Sequence, residues 1–356
     1  MNSLDFSHDE IERATRYHRP RYYLLFARAA LTVSVVLLLR LVGRDLDGLG
    51  WAGAAVVWAA LVVAALDLAS LPLDVWSGYV RERSWGFSTE TPGAWLADQA
   101  KGIAVTVVLA ALAWLGLVGL GRAFPSWWVL PAAVAAALVV AFLLFVSPVL
   151  LEPIFNTFRP LEDEALTAAL LALAETAGAP VREVLVADAS RRTNKVNAYV
   201  SGLGASRRVV VWDTLLEAVD AAGVALVVAH ELGHRRLRHV AKLTAAGMAG
   251  AALVVIALRI VISTPHARDL PLAVLVMLVA QIALGPPLAA LSRRFERQAD
   301  LFALHTTGEL GTFEQVMTML ARRNLGDLMP PRLVYYLFFT HPTAPERLAL
   351  ARAANA

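Results

Sequence analysis

Residues Val227 to His239 read VVAHELGHRRLRH. This stretch closes an apolar run that favours a helix, and it contains an HExxH pentapeptide that begins at His230 and ends at His234. Residues four apart lie on one face of a helix, so both histidines can direct a ring nitrogen at one ion. Zinc takes such nitrogens at about 2.0 to 2.1 Å, and Glu231 lies where a carboxylate can take a proton from an activated water. The alternative is a chance match on a surface helix that binds no metal.

The composition indicates a membrane protein. Of the 356 residues, 58% are hydrophobic and 17% are charged, which is too apolar for an ordinary soluble protein. The chain has no cysteine, so disulfides, thiolate ligands and cysteine nucleophiles are excluded, and a metal site must use His and carboxylate side chains. The net charge is only +3 and no basic run is interleaved with aromatic residues, so we expect no nucleic-acid partner.

Six apolar segments are long enough to cross a bilayer, which takes about 20 helical residues. They are 22–41, 51–71, 103–120, 127–146, 243–262 and 272–291. With the N-terminus inside, most basic residues fall on the inner side, which predicts that the HExxH part faces the cytoplasm. Only three of the 32 basic residues are lysine, a bias typical of a GC-rich bacterial genome, so the expected location is a bacterial inner membrane.

The segment between spans four and five is predicted to fold outside the membrane. A helical stripe covers 162–177, and the β-rich pieces 184–186, 196–200 and 209–212 predict a small antiparallel sheet. After span six, we expect an amphipathic helix around 313–320. A last helix follows the capping box formed by Thr343 and Glu346.

The predicted fold class is therefore mainly α, a polytopic membrane protein of about six transmembrane helices with a cytoplasm-facing α+β part that contains a small sheet. We expect four regions. Residues 1–150 form an N-terminal membrane region with four transmembrane helices, and 151–242 form the metalloprotease part with the HExxH helix. Residues 243–292 form helices five and six, and 293–356 complete the metalloprotease part and supply a third metal ligand.

The third ligand has two candidates near the histidine pair. His239 lies five residues after His234, roughly 140° around a continuous helix, and is expected to be a solvated helix residue. Glu296 and Asp300 lie four apart on one helical face, so one carboxylate could bind the metal while the other orients a ligand histidine. The alternative is a surface helix whose acidic residues pair with neighbouring arginines.

Seven motifs, in order along the chain, carry a resemblance to a known family. They are ERSWGFSTET (82–91), LEPIFNTFRPLEDEAL (151–166), NKVNAYVSG (194–202), RRVVVWDTLLE (207–217), VVAHELGH (227–234), FERQAD (295–300) and FFTHPTAPERL (338–348). With this set the chain resembles the type I CaaX prenyl endopeptidases, integral-membrane zinc proteases with a gluzincin-like site. Bacterial HtpX-like proteases are more distant relatives. The larger eukaryotic members have seven spans, so we expect their first span to be absent here.

The resemblance assigns roles to ten residues. It implies one Zn²⁺ per chain, bound by His230, His234 and Glu296, with Glu231 as the general base and acid. Asp300 would orient a metal ligand without binding the metal itself, and His341 and Arg347 would contact the oxyanion or the substrate. Asn197, Ala198 and Tyr199 would lie at the peptide-binding edge. From local sequence alone, Asn197 could be a turn residue and Tyr199 a core residue. His341 could simply lead into the last helix, while Arg347 pairs with Glu346.

The expected function is hydrolysis of peptide bonds in a peptide or protein substrate, with lipidated peptides included, at a surface in contact with membrane lipid. One alternative is an HtpX-like role in membrane-protein quality control. An alternative of another class is a catalytically silent membrane scaffold or peptide-binding protein. That alternative predicts the loss of the base or of a ligand, and the sequence retains all of them.

Overall fold

The computed structural model describes residues 5–202 and 207–356. Within them, six helices are long and apolar enough to cross a membrane. Four come first in the chain: α1 (His8–Val42), α2 (Gly50–Ser84), α3 (Pro92–Ala123) and α4 (Val129–Phe155). The helix α1 starts well before its apolar part, at a capping box in which Ser7 and Glu10 exchange hydrogen bonds. Its polar first turns therefore project beyond the apolar segment toward the second region of the protein.

The second region consists of short helices and a sheet. In chain order it contains β1 (Phe158–Pro160), α5 (Glu164–Thr176), β2 (Glu183–Ala187), β3 (Ala198–Ser201), β4 (Arg208–Trp212), α6 (Asp213–Ala218) and α7 (Ala221–Arg236). The strand order is β1-β2-β4-β3, in which β2 and β4 run parallel and the other two pairs are antiparallel. The expectation of an antiparallel sheet is thus wrong for its central pair. The chain passes β2, forms β3 at the edge, and returns as β4 into the space between them.

Two more membrane-crossing helices follow, and the second is much longer than the first. The helix α8 (His239–Val261) is separated from α7 by two residues, and the second of them, Arg238, has a left-handed φ of 58°. The helix α9 is continuous over Leu270–Thr307, so its 38 residues extend about 57 Å, beyond the thickness of a bilayer core. One continuous helix, with Pro286 and Pro287 inside it, therefore carries both span six and the FERQAD segment.

Three helices end the chain: α10 (Leu310–Arg323), α11 (Arg332–Phe338) and α12 (Ala344–Asn355). The predicted amphipathic helix and the predicted capping box of Thr343 and Glu346 are both present. One hydrophobic core is formed by the sheet, the end of α9 and the helices α5, α7, α10 and α12. The membrane-crossing helices form a separate apolar cluster. The predicted fold class is confirmed, with a mixed sheet in place of an antiparallel one.

Candidate metal centre

The HExxH motif lies in the second half of α7, which is buried between the sheet and α9. Asp220 caps this helix by accepting a hydrogen bond from the Gly223 N–H at 2.9 Å. Gly233, inside the motif, faces Phe302 of α9, and a Cβ placed there would lie 3.0 Å from Phe302 Cδ1. A glycine at this position therefore lets the two helices approach closely enough for side chains on both to reach a common point.

Three side chains meet at that point. His230 Nε2 and His234 Nε2 lie 3.2 Å apart, and each lies 3.3 Å from a carboxylate oxygen of Glu296. Four ligands at zinc–ligand distances of about 2.05 Å in a tetrahedron are separated by edges of about 3.3 Å. The observed separations are similar to these edges, although His230 lies nearest to Glu296 Oε2 and His234 nearest to Oε1. His230, His234 and Glu296 could therefore hold a metal ion.

The donor atoms of the cluster also fit a cation chemically. Glu296 Oε2 is buried, and among the described residues no well-aligned hydrogen bond reaches it, although His230 Nε2 lies 3.3 Å away. Two imidazole nitrogens that face each other at 3.2 Å repel unless a proton or a cation lies between their lone pairs. An ion bound by the three side chains would remove both unfavourable features, which is the second argument that these residues fit a metal.

Asp300 and Arg347 fix the ring of His230 on its Nδ1 side. His230 Nδ1 donates to Asp300 Oδ1 at 2.9 Å, which fixes the ring so that Nε2 faces Glu296. Arg347 donates from Nε to Asp300 Oδ2 at 2.8 Å and from Nη2 to Oδ1, forming a two-pronged ion pair. Burial lowers the pKa of His230, but the hydrogen bonds with Asp300 and Glu296 outweigh it and raise this pKa to about 9. A metal must therefore displace a proton from His230 when it binds.

The structure places His239 behind the second histidine, and the expectation that it is solvated is wrong. The side chain is fully buried and its ring stacks on Phe295 with the ring centres 4.2 Å apart. Its Nδ1 accepts from His234 Nδ1 at 3.2 Å, and its Nε2 donates to Gln298 Oε1 at 2.9 Å. The angle of roughly 140° assumed a continuous helix, but the left-handed residue Arg238 ends α7 and turns His239 back toward the motif.

Glu231 is enclosed by the same elements. Burial raises its pKa above the usual value, although the nearby histidines oppose that effect. A carboxylate with a raised pKa is suited to accept a proton and later to release it near neutral pH.

His341 approaches the cluster from the segment between α11 and α12. Its Nε2 lies 3.4 Å from Glu296 Oε1, and most of its side chain is exposed. Arg293 keeps that segment in place by donating to the carbonyl oxygens of Tyr335 at 3.2 Å and Phe339 at 2.5 Å. The neighbouring arginine therefore binds main chain and does not pair with Glu296 or Asp300, contrary to the surface-helix alternative for the FERQAD segment.

Asn197, Ala198 and Tyr199 lie at the start of β3, the edge strand of the sheet. The Trp212 N–H donates to the Asn197 carbonyl at 3.0 Å, so the main-chain groups of Asn197 and Tyr199 face β4. Ala198, which is 2% exposed, and Val200 are therefore the residues whose main-chain groups face the free edge. Tyr199 is paired with Val210 of β4, and its hydroxyl reaches Glu152 at 3.4 Å.

Comparisons with known proteins identify the family of the chain. A model of peptidase family M48 matches residues 160–355, and a model described as "CAAX prenyl protease N-terminal, five membrane helices" matches residues 6–157. The Bacillus subtilis protein "Uncharacterized metalloprotease YhfN" is 31% identical over 299 residues, which is 79% of this chain and 69% of that protein. "CAAX prenyl protease 1" of Saccharomyces cerevisiae is 31% identical over 177 residues, 49% of this chain and 38% of that protein.

A solved structure gives the same answer for the fold. The crystal structure of Ste24p from S. mikatae matches with a TM-score of 0.79 at 21% identity, over 97% of this chain and 89% of that one. The resemblance predicted from the ordered motifs is thereby confirmed, because the family model alone covers more than half of the chain. The protein belongs to peptidase family M48 and is an integral, multi-pass membrane metalloprotease related to the CAAX prenyl proteases.

Proposed function

We propose that the protein hydrolyses peptide bonds with one zinc ion held by His230, His234 and Glu296. The observation that carries this proposal is the cluster of His230, His234 and Glu296, in which one ligand atom of each residue lies within 4.8 Å of the others. Two histidines and one glutamate leave the fourth position of such a site for water or substrate. Bound zinc would polarise a peptide carbonyl and lower the pKa of water to about 7.

Glu231 is the proton carrier in this proposal. It takes a proton from the attacking water and returns it to the amine that leaves when the peptide bond breaks. Its raised pKa favours the first transfer, because a more basic carboxylate takes the proton from water more readily. No covalent bond between the chain and the substrate is formed.

The remaining polar residues position these groups or stabilise charge. Asp300 holds His230, and Arg347 holds Asp300, so the pair fixes one ligand ring. His341 lies beside Glu296 on the exposed side of the cluster, where its ring N–H can donate to an oxyanion on the peptide carbon. One such donor contributes about 2.7 to 4 kcal/mol to transition-state stabilisation. Asn197 and Ala198 begin the edge strand, which we propose takes an extended peptide by strand addition.

We infer that the catalytic side faces the cytoplasm and that the membrane is a bacterial inner membrane. The short polar loops on that side carry most of the basic residues outside the soluble region. The four regions 1–150, 151–242, 243–292 and 293–356 are proposed as the working division of the chain. The second and fourth of these regions together form the protease part, because His230 and His234 belong to one and Glu296 to the other.

The substrate class is tested by direct assay. The protein is purified in detergent, its zinc content is measured, and a farnesylated CaaX peptide is compared with the same peptide lacking the farnesyl group. We expect the wild type to cleave peptide, and we expect the same of Glu217→Gln, which alters an exposed carboxylate. Glu231→Gln should lose cleavage while it still binds one zinc ion. Undiminished cleavage by Glu231→Gln would contradict the proposed role of Glu231. Equal cleavage of both peptides would exclude the farnesyl group as a determinant.

A further inference from the structure

A cavity lies beside the metal centre. It has a volume of about 520 Å³ and opens between α4, α8 and the soluble region. Its lower wall is apolar and comes from two membrane-crossing helices, with Leu144 on α4 and Ala245 and Met248 on α8. His234 forms part of its inner wall. A volume of this size falls within the range of small-molecule sites.

Three arginines line the upper part of this cavity. We call Arg207, Arg235 and Arg238 the basic cleft. Arg235 donates to the Val200 carbonyl at 2.9 Å and Arg207 to the Pro180 carbonyl at 3.5 Å. In residues 5–202 and 207–356, no ion pair joins any of the three to an acidic side chain. Carbonyl oxygens satisfy hydrogen bonds but leave the positive charges uncompensated.

The charges in the cleft repel one another, because three guanidinium groups line one cavity of about 520 Å³. Arginine remains charged at any ordinary pH, so the repulsion is relieved by an anion rather than by loss of a proton. Guanidinium groups match phosphate oxygens in geometry as well as in charge.

The position of the cleft identifies the kind of anion. Arg238 directly precedes α8, so it lies where that helix leaves its apolar segment. Lipid headgroups occupy this level of a bilayer, and basic pockets between transmembrane helices are known to bind anionic headgroups. The groove below the arginines is apolar and lies between two helices that face lipid, which suits an acyl chain rather than a free ion.

We propose that the basic cleft binds the phosphate headgroup of an anionic phospholipid, with part of one acyl chain between α4 and α8. The bound headgroup would lie beside His234, so the acidic lipid would form one wall of the metal centre. The site is separate from the face that His341 occupies. The proposal concerns lipid recognition and does not depend on which peptide the protease cleaves.

The test measures lipid binding through stability, so it needs no substrate. Zinc-loaded full-length protein in a neutral detergent is freed of lipid, and its thermal unfolding midpoint is followed as dioleoyl phosphatidylglycerol is added. Dioleoyl phosphatidylcholine, inorganic phosphate and farnesol are titrated in parallel. The double variant Arg207→Gln/Arg238→Gln is compared with Arg294→Gln, which removes an exposed arginine at the end of span six, outside the cleft. A ligand that binds only the folded state raises the midpoint in proportion to occupancy.

We expect phosphatidylglycerol to raise the midpoint of the wild type and of Arg294→Gln equally, with phosphatidylcholine and phosphate having little effect. Each interfacial arginine contributes about a fivefold gain in affinity, so the double variant should bind about thirtyfold more weakly. An unchanged affinity in the double variant would overturn the proposal. Phosphate as effective as the lipid would assign the site to a free anion. Farnesol stabilising wild type and double variant alike would assign the cavity to an uncharged chain. Either result would overturn the proposal as well.

Discussion

Replacing His239 tests whether the buried histidine behind the motif helps to hold the metal. In His239→Ala, the ring of His234 loses the acceptor at 3.2 Å that fixes its Nδ1, and Gln298 loses its donor at 2.9 Å. Each of these hydrogen bonds contributes about 0.5 to 1.5 kcal/mol, so losing both weakens the site by about 1 to 3 kcal/mol. That corresponds to a zinc dissociation constant raised by about 5- to 150-fold, which overlaps the range of about 10- to 100-fold typical of residues behind a metal ligand.

The assay must separate metal affinity from folding, because His239 is fully buried and stacks on Phe295. Zinc affinity is measured by competition with a chromogenic chelator on protein whose folding has been checked by circular dichroism. His239→Asn is the second variant, since its side-chain oxygen can accept near the position of the histidine Nδ1. We expect His239→Asn to recover most of the affinity lost in His239→Ala. His305→Ala, which removes an exposed histidine on α9, serves as the control and should bind zinc as the wild type does.

Two results would refute this reasoning. If folded His239→Ala binds zinc as tightly as the wild type, the contact between His239 and His234 does not orient the ligand. If His239→Asn is as weak as His239→Ala, the loss reflects the cavity beside Phe295 and not the missing acceptor. In the second case the thermal midpoint of both zinc-free variants should fall together, since a buried large-to-small change costs about 2 to 5 kcal/mol.

Three further outcomes follow from the geometry of the centre. Glu296→Gln keeps the size of the side chain but removes its charge, so the zinc content after dialysis should fall below one ion per chain. Glu309→Gln, in the exposed turn between α9 and α10, should retain its zinc. Zinc affinity should rise about tenfold per pH unit from about pH 6.5 to the His230 pKa of about 9 and then level off, because the metal competes with the proton on His230 until the ring is neutral. A zinc affinity that does not change with pH in chelator competition would contradict the raised pKa. Gly233→Ala should lower the unfolding free energy by about 1 to 3 kcal/mol through the contact with Phe302, and an unchanged thermal midpoint would show that α9 moves aside freely.

The features set by local pattern were predictable from the sequence. The six apolar segments, the helix that carries HExxH and the capping box at Thr343 each depend on residues within a few positions of one another. Glu296 and Asp300 were singled out by their spacing of four, which is a helical spacing. The spacing alone could not say that their helix lies against α7, because that depends on packing between residues distant in sequence.

The features that escaped prediction depend on chain reversals. The parallel pairing of β2 with β4 follows from β3 being placed at the sheet edge, and the short strand β1 ends in a proline, which weakens any strand signal. We expected His239 to be solvent-exposed because nothing in the sequence RRLRH indicates a left-handed residue at Arg238. The signal that could have found its role is the presence of a third histidine close to the motif, together with a polar partner, Gln298, inside FERQAD.

The continuity of α9 explains why this protease keeps its metal site so close to the membrane. Glu296 and Asp300 lie on the same continuous helix as span six, one turn apart, so a movement of that helix end moves a ligand and the residue that orients His230 together. His230 and His234 lie on α7, which is separated from α8 and span five by a single reversal at Arg238. The two halves of the centre are therefore each attached to a membrane-crossing helix. Zinc affinity should then respond to how the two spans pack, which means that detergents or bilayers that change this packing alter metal binding without touching a ligand.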